Sequence, residues 1–234
     1  MPAAGFEVRN DASRLLVDGN YLNLGLRLSG EATKGGLINT QVVAYPYSGN
    51  PVVALRVISA SSQEAYVFVK ECARDGSGWQ ITLESWAPTG GSIKFAWYVF
   101  DNYVPSGGFG LEVYNATGAL VFTAISPPMR VSSVISGKIY VANDQTRVNI
   151  AEAQVGSSVY ALLQATKAYH RTMELIPSQP PRTVATLNAS AVCLESGRQN
   201  IKYFGIAGST NAGSPRPEQE WAGTWLVIDV TGFQ

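Results

Sequence analysis

Apolar residues in this 234-residue chain alternate with polar ones far more often than they recur at helical spacing. In Tyr21-Leu22-Asn23-Leu24-Gly25-Leu26-Arg27-Leu28 every second residue is leucine, which predicts a strand with Leu22, Leu24, Leu26 and Leu28 on one face. Trp79 to Trp86 repeats the pattern, with Trp79, Ile81, Leu83 and Ser85 opposed to Gln80, Thr82, Glu84 and Trp86, and predicts a half-buried antiparallel strand. Further strands are predicted over Gln41 to Tyr47, Val52 to Ser59, Ala65 to Cys72 and Ser92 to Asp101. Others follow over Met129 to Ser136, Lys138 to Ala142, Val148 to Ala153, Ser158 to Thr166, Arg171 to Ile176, Val184 to Glu195, Ile201 to Ala207 and Thr224 to Val230. Gly, Pro, Ser and Asn clusters separate many of them at intervals of about ten residues, as in sandwiches and barrels. Ala151 to Gln154 and Tyr160 to Tyr169 are compatible with helix, but their Val and Tyr content suits strand equally.

The pattern occurs twice. Gly5-Phe6-Glu7-Val8-Arg9-Asn10, running on to Leu15-Leu16-Val17, recurs as Gly110-Leu111-Glu112-Val113-Tyr114-Asn115, running on to Leu120-Val121-Phe122. Trp97-Tyr98-Val99-Phe100-Asp101 recurs as Trp225-Leu226-Val227-Ile228-Asp229. Opening hairpins and closing strands thus bracket two units. Asp101 to Gly108, rich in turn formers, is the natural joint. The expectation is an all-β chain of two tandem antiparallel β-sandwich-like domains from an internal duplication, 1–104 and 105–234, the second with longer loops around Ile176 to Pro181 and Gly208 to Glu218.

Composition sharpens this picture. The 23 Gly, 12 Pro and 11 Tyr suit strands punctuated by turns. Lys+Arg and Asp+Glu balance at 17 each, so no surplus charge draws nucleic acid or an anionic membrane. Near-zero charge also gives little colloidal repulsion, which suits a chain packed against copies of itself or other subunits. The opening Met1-Pro2-Ala3-Ala4-Gly5 has neither a basic nor an apolar signal region, so synthesis in the cytosol is expected, and no apolar run is long enough for a spanning helix. Cys72 and Cys193 form no CxxC pair and read as reduced residues.

Candidate chemistry is sparse. His170 is the single histidine, which leaves no imidazole cluster for zinc and no relay, and no Gly-x-Ser-x-Gly elbow accompanies it. Glu7 and Glu112, like Asp101 and Asp229, occupy equivalent repeat positions, which favours a shared structural task over a glycosidase pair. No catalytic residue, cofactor or metal site is expected, and the chain reads as non-enzymatic. Aromatic residues are the remaining functional clue, since rings on loops stack on sugars or anchor interfaces. Trp97 and Trp225 read as core, and Trp86 and Tyr103 stand on a polar face and in the joint. Tyr45, Tyr47 and Trp221 are the candidate contacts with a partner or receptor.

Trp97 to Asp101, the short Gly-rich loop, Gly110 to Phe122 and the ending Trp225 to Phe233 together resemble a β-rich family of minor structural proteins from the tail, tail tip or fibres of tailed bacteriophages. The resemblance implies a virion component made in the bacterial cytoplasm, with no cofactor and no catalytic residue. It implies oligomerisation about the tail axis and contact with other phage tail proteins in a tip or baseplate. Host adsorption, through a surface polysaccharide or pilus, is the alternative role.

Overall fold

The computed structural model describes residues 7–9, 15–18, 24–102, 110–115, 117–137, 148–149, 158–166, 169–176, 182–195, 197–211, 219–221 and 223–233. Among them every regular element is a strand, so the all-β class expected from the sequence is what the structure shows. In chain order they are β1 (Glu7–Arg9), β2 (Leu15–Asp18), β3 (Gly25–Gly35), β4 (Ile38–Tyr45), β5 (Val52–Ala60), β6 (Tyr66–Asp75), β7 (Gly78–Trp86), β8 (Ser92–Asp101) and β9 (Glu112–Tyr114). There follow β10 (Leu120–Thr123), β11 (Arg130–Gly137), β12 (Val148–Asn149), β13 (Tyr160–Thr166), β14 (Tyr169–Ile176), β15 (Arg182–Glu195), β16 (Arg198–Asn211), β17 (Gln219–Trp221) and β18 (Gly223–Asp229).

Two antiparallel sheets form the body. The first has the order β11-β18-β13-β5-β8-β3, and the second β12-β16-β15-β6-β7-β4, with β14 and β17 pairing beside β15. If β3, β4, β5, β6, β7 and β8 are matched with β11, β12, β13, β15, β16 and β18, each order reads the same from either end. The opening hairpins β1-β2 and β9-β10 stand apart as two-stranded sheets, one before each set. Asn115 sets the second hairpin's turn, its side-chain oxygen accepting from the Thr117 and Ala119 amides at 3.0 and 2.9 Å.

The division at 104/105 does not separate two cores. Leu55 and Ala54 of β5 pair with Leu162 and Leu163 of β13, and Val67 and Tyr66 of β6 pair with Val192 and Cys193 of β15, so both sheets run through it. Between the sheets one apolar cluster joins Val57, Ile81, Leu83, Phe95 and Val99 to Leu162, Val192, Ile201, Trp225 and Val227. Each such side chain contributes about 1.5–3 kcal/mol on burial. The two units therefore share sheets and core instead of closing a sandwich each.

The alternation of β7 is as expected, with Ile81, Leu83 and Ser85 buried. That of the leucine strand is not. The β3/β8 register shifts between Leu26 and Leu28, and this bulge turns the chain over. Leu28 points into the central core, while Leu24 and Leu26 join a second cluster on the other face of the first sheet, with Ala54, Ala96, Tyr98, Phe100, Ala161 and Ile228; Leu22 lies outside the described residues. An equivalent shift falls between Val131 and Ser133 of β11. The second unit's predicted loop at Gly208 to Glu218 is also shorter than expected. Gly208 to Asn211 continue β16, paired with Thr186 to Thr183. The segments 177–181 and 212–218 lie outside the described residues.

Candidate functional site

The loop between β4 and β5 begins at Tyr45-Pro46-Tyr47 and returns through Ser48-Gly49-Asn50. Tyr45 ends β4 facing inward and is buried, and its hydroxyl donates to Asp101 Oδ2 at 2.6 Å. The Asn50 amide donates to Asp101 Oδ1 at 2.8 Å. A fully buried carboxylate at the end of β8 thus receives two hydrogen bonds from the loop opposite. Such bonds are among the stronger ones in proteins. Gly49 makes the approach possible, because a Cβ there would overlap the Asp101 carboxylate. Burial, and then the Asp101 carboxylate, push the Tyr45 phenol far above its ordinary range.

The loop's outer side is pinned as firmly. Trp79 Nε1 donates to the Gly49 carbonyl at 2.7 Å, and an Arg74 guanidinium nitrogen donates to the Ser48 carbonyl at 3.1 Å. The Arg74 guanidinium lies 4.2 Å from the Trp79 ring centroid, a cation–π contact. Tyr47 packs edge-on against Tyr45, centroids 5.2 Å apart, and is 37% exposed. The arrangement presents an aromatic and guanidinium surface beside a hydrogen-bonded loop, suited to stacking against a planar or sugar-like partner.

Of the three aromatic candidates, the structure therefore assigns different places to Tyr45 and Tyr47. Tyr45 is buried support and cannot touch a partner; the strand alternation carries it inward and Asp101 gives its hydroxyl a partner. Tyr47 is the exposed member. Trp221 ends β17 and pairs with Tyr169 of β14, in a different part of the second sheet, and its side chain lies outside the described residues. His170 is in β14, paired in register with Asn188 and Glu220. Tyr103 lies outside the described residues. Neither Cys72 nor Cys193 is in a disulfide.

The repeated aspartates each accept a backbone amide, but with different partners. Asp229 Oδ1 accepts from the Thr231 amide at 2.9 Å and lies 3.5 Å from an Arg130 guanidinium nitrogen. Sequence reasoning missed Gln199, a buried polar residue whose amide spans the two sheets. Its Oε1 accepts from the Val57 amide at 2.8 Å and its Nε2 donates to the Val57 carbonyl at 2.7 Å. Nothing local in the sequence marks it, because its partner is 142 residues away.

A second surface lies on the solvent side of the second sheet. Ile38, Trp86 and Tyr66 stand opposite one another across β4, β7 and β6, and Cys193, next in the row on β15, is fully buried. Trp86 and Tyr66 stack, with centroids 5.5 Å apart and planes 13° from parallel. Ile38, on the edge strand, is 68% exposed. Compared with known protein families, curated proteins and solved structures, the chain matches none.

Proposed function

We propose that the chain is a non-enzymatic structural subunit of a bacteriophage tail tip or baseplate, which assembles with copies of itself and with other tail proteins. The observation that carries this reading is exposed apolar side chains on strands that, among the described residues, end the two sheets. Ile38 and Val42 lie exposed on edge strand β4, with Leu37 beside them, and Val131 and Val134 lie exposed on edge strand β11. Strands β3 and β4 adjoin, so β4 and β11 stand at opposite ends of the two sheets. Unpaired strand edges with apolar side chains invite another chain, and a protein that uses them in assembly covers them. The balanced formal charge adds no repulsion between copies.

The virion assignment itself comes from the resemblance of the repeated motifs and is tested by electron microscopy. Gold-labelled antibody against this chain should mark the tail end of phage particles, and capsid labelling or none would overturn it. The exposed Tyr47 on its pinned loop favours a second reading, adsorption to a host glycan or pilus. In that case purified protein blocks infection, and indifference at high concentration removes it.

A further inference from the structure

On the outer face of the first sheet, Glu31 of β3, Ala96 of β8 and Arg56 of β5 form one cross-strand row. Neighbouring strands are about 4.8 Å apart, so a carboxylate and a guanidinium stand on either side of an alanine too small to fill the space between them. In the next row Ser29 faces Tyr98. One side is walled by Val159 and the turn Val230 to Phe233, held by the Val230 amide on the Val159 carbonyl at 2.8 Å and the Phe233 amide on the Val230 carbonyl at 2.9 Å. Phe233 is itself fixed against Phe100 and lies under the Arg130 guanidinium. The half-open space is about 450 Å³.

The charges are not balanced within it. Glu31 is paired with Lys94 at 2.7 Å, whereas no carboxylate among the described residues lies within ion-pairing reach of Arg56. Arg56 stands beside the Tyr98 phenol, which burial raises and the guanidinium pulls partly back. A half-buried guanidinium without a counterion is costly unless something supplies an anion, and its planar fork takes a carboxylate through two bonds. The second unit lacks this set. The register places Ser136, Thr166 and Leu226 where the first unit has Glu31, Arg56 and Tyr98. The polar groups are therefore an addition to the framework and not part of what the framework needs.

We infer that this pocket binds one acidic sugar residue of a saccharide chain, its carboxylate on Arg56. The Tyr98 and Ser29 hydroxyls and the Glu31 carboxylate serve the sugar's hydroxyl groups, and Val159, Val230 and Phe233 cover its C–H face. The volume suits a single ring with its substituents. A neutral hexose leaves Arg56 without a partner, and inorganic phosphate offers no C–H face to Val159, Val230 and Phe233. A peptide carboxylate offers Arg56 the same anion but no hydroxyl groups for Ser29 and Glu31. The site rests on neither virion role and holds or fails separately from them.

Calorimetric titration of the full chain with a glucuronate-containing tetrasaccharide, a glucose tetrasaccharide and a tetrapeptide with a free C-terminus tests it. The acidic saccharide should bind saturably and less tightly as salt is raised, while the other two bind at least tenfold more weakly. Arg56→Gln should weaken the acidic saccharide tenfold or more, and Arg56→Lys should recover part of the loss. Equal binding of the neutral saccharide, peptide binding as tight as the acidic saccharide, no binding of any probe, or an unaffected Arg56→Gln protein would each overturn the assignment. Circular dichroism melting checks the fold of each variant. Should Arg56→Gln fail to fold, the three-probe comparison on the unmodified protein and on Arg56→Lys still decides.

Discussion

Replacing Tyr45 by Phe removes one hydroxyl and little else, since the ring stays in the core between the sheets. What is lost is the 2.6 Å hydrogen bond to Asp101, leaving that buried carboxylate with the Asn50 amide as its donor among the described residues. A bond to a charged group contributes about 1.5–3 kcal/mol, so the variant should be less stable by about 2 kcal/mol at neutral pH. In a chain of this size that is about 4–8 °C in melting temperature. The alkaline limb gives a sharper test. The folded protein holds the Tyr45 phenol protonated well beyond its ordinary range. The stabilisation is fully present below about pH 10, where the unfolded chain is protonated too. Above that the unfolded chain releases the proton and the folded one keeps it, so stability falls by about 1.4 kcal/mol for each further pH unit. The variant lacks this contribution, and the two stabilities should converge near about pH 11.5 by the same arithmetic. Urea unfolding followed by tryptophan fluorescence at pH 7.5 and pH 11 measures both quantities. Equal stability at neutral pH, or a deficit that does not shrink with alkali, would refute the account of Tyr45 and Asp101.

Three other outcomes follow from the packing. Gln199→Leu leaves both backbone groups of Val57 without their partner and should cost about 2–4 kcal/mol in urea unfolding; a loss under 1 kcal/mol would contradict the bridging role. Gly30→Ala drives a methyl group into the Trp97 ring on the neighbouring strand, with an expected cost of about 1–3 kcal/mol in a thermal melt, and an unchanged melt would contradict the contact. Ile38→Lys combined with Val134→Lys changes exposed edge positions, so monomer stability should shift by no more than about 0.5 kcal/mol for each while self-association, followed by analytical ultracentrifugation, is lost. Undiminished association would remove the strand edges as assembly surfaces.

How much of this was legible in the sequence differs from one element to the next. The strand over Trp79 to Trp86 could be read directly, because a period of two with one apolar side has a single reasonable solution. Ser29 to Gly35 carries no such alternation and still forms the second half of β3, because the register with β8 holds it there. Tyr47 was legible as an exposed aromatic beside a proline. Tyr45 was not legible as its support, since nothing near it in the chain announces Asp101.

By itself the sequence determined the strand class, the turns and the twofold recurrence of hairpin and closing strand, all of which depend on neighbours a few residues apart. Tertiary structure alone decided that the two units meet edge to edge through β5 with β13 and β6 with β15, and that they share one core. It also decided that a bulge sends Leu26 and Leu28 to opposite faces. The same is true of the Arg56 pocket, whose walls come from both ends of the chain. The physical reason is common to all of these. An alternating strand specifies which side chains share a face, but the partner across the ladder and the layer that face meets are set by contacts between residues far apart in the chain.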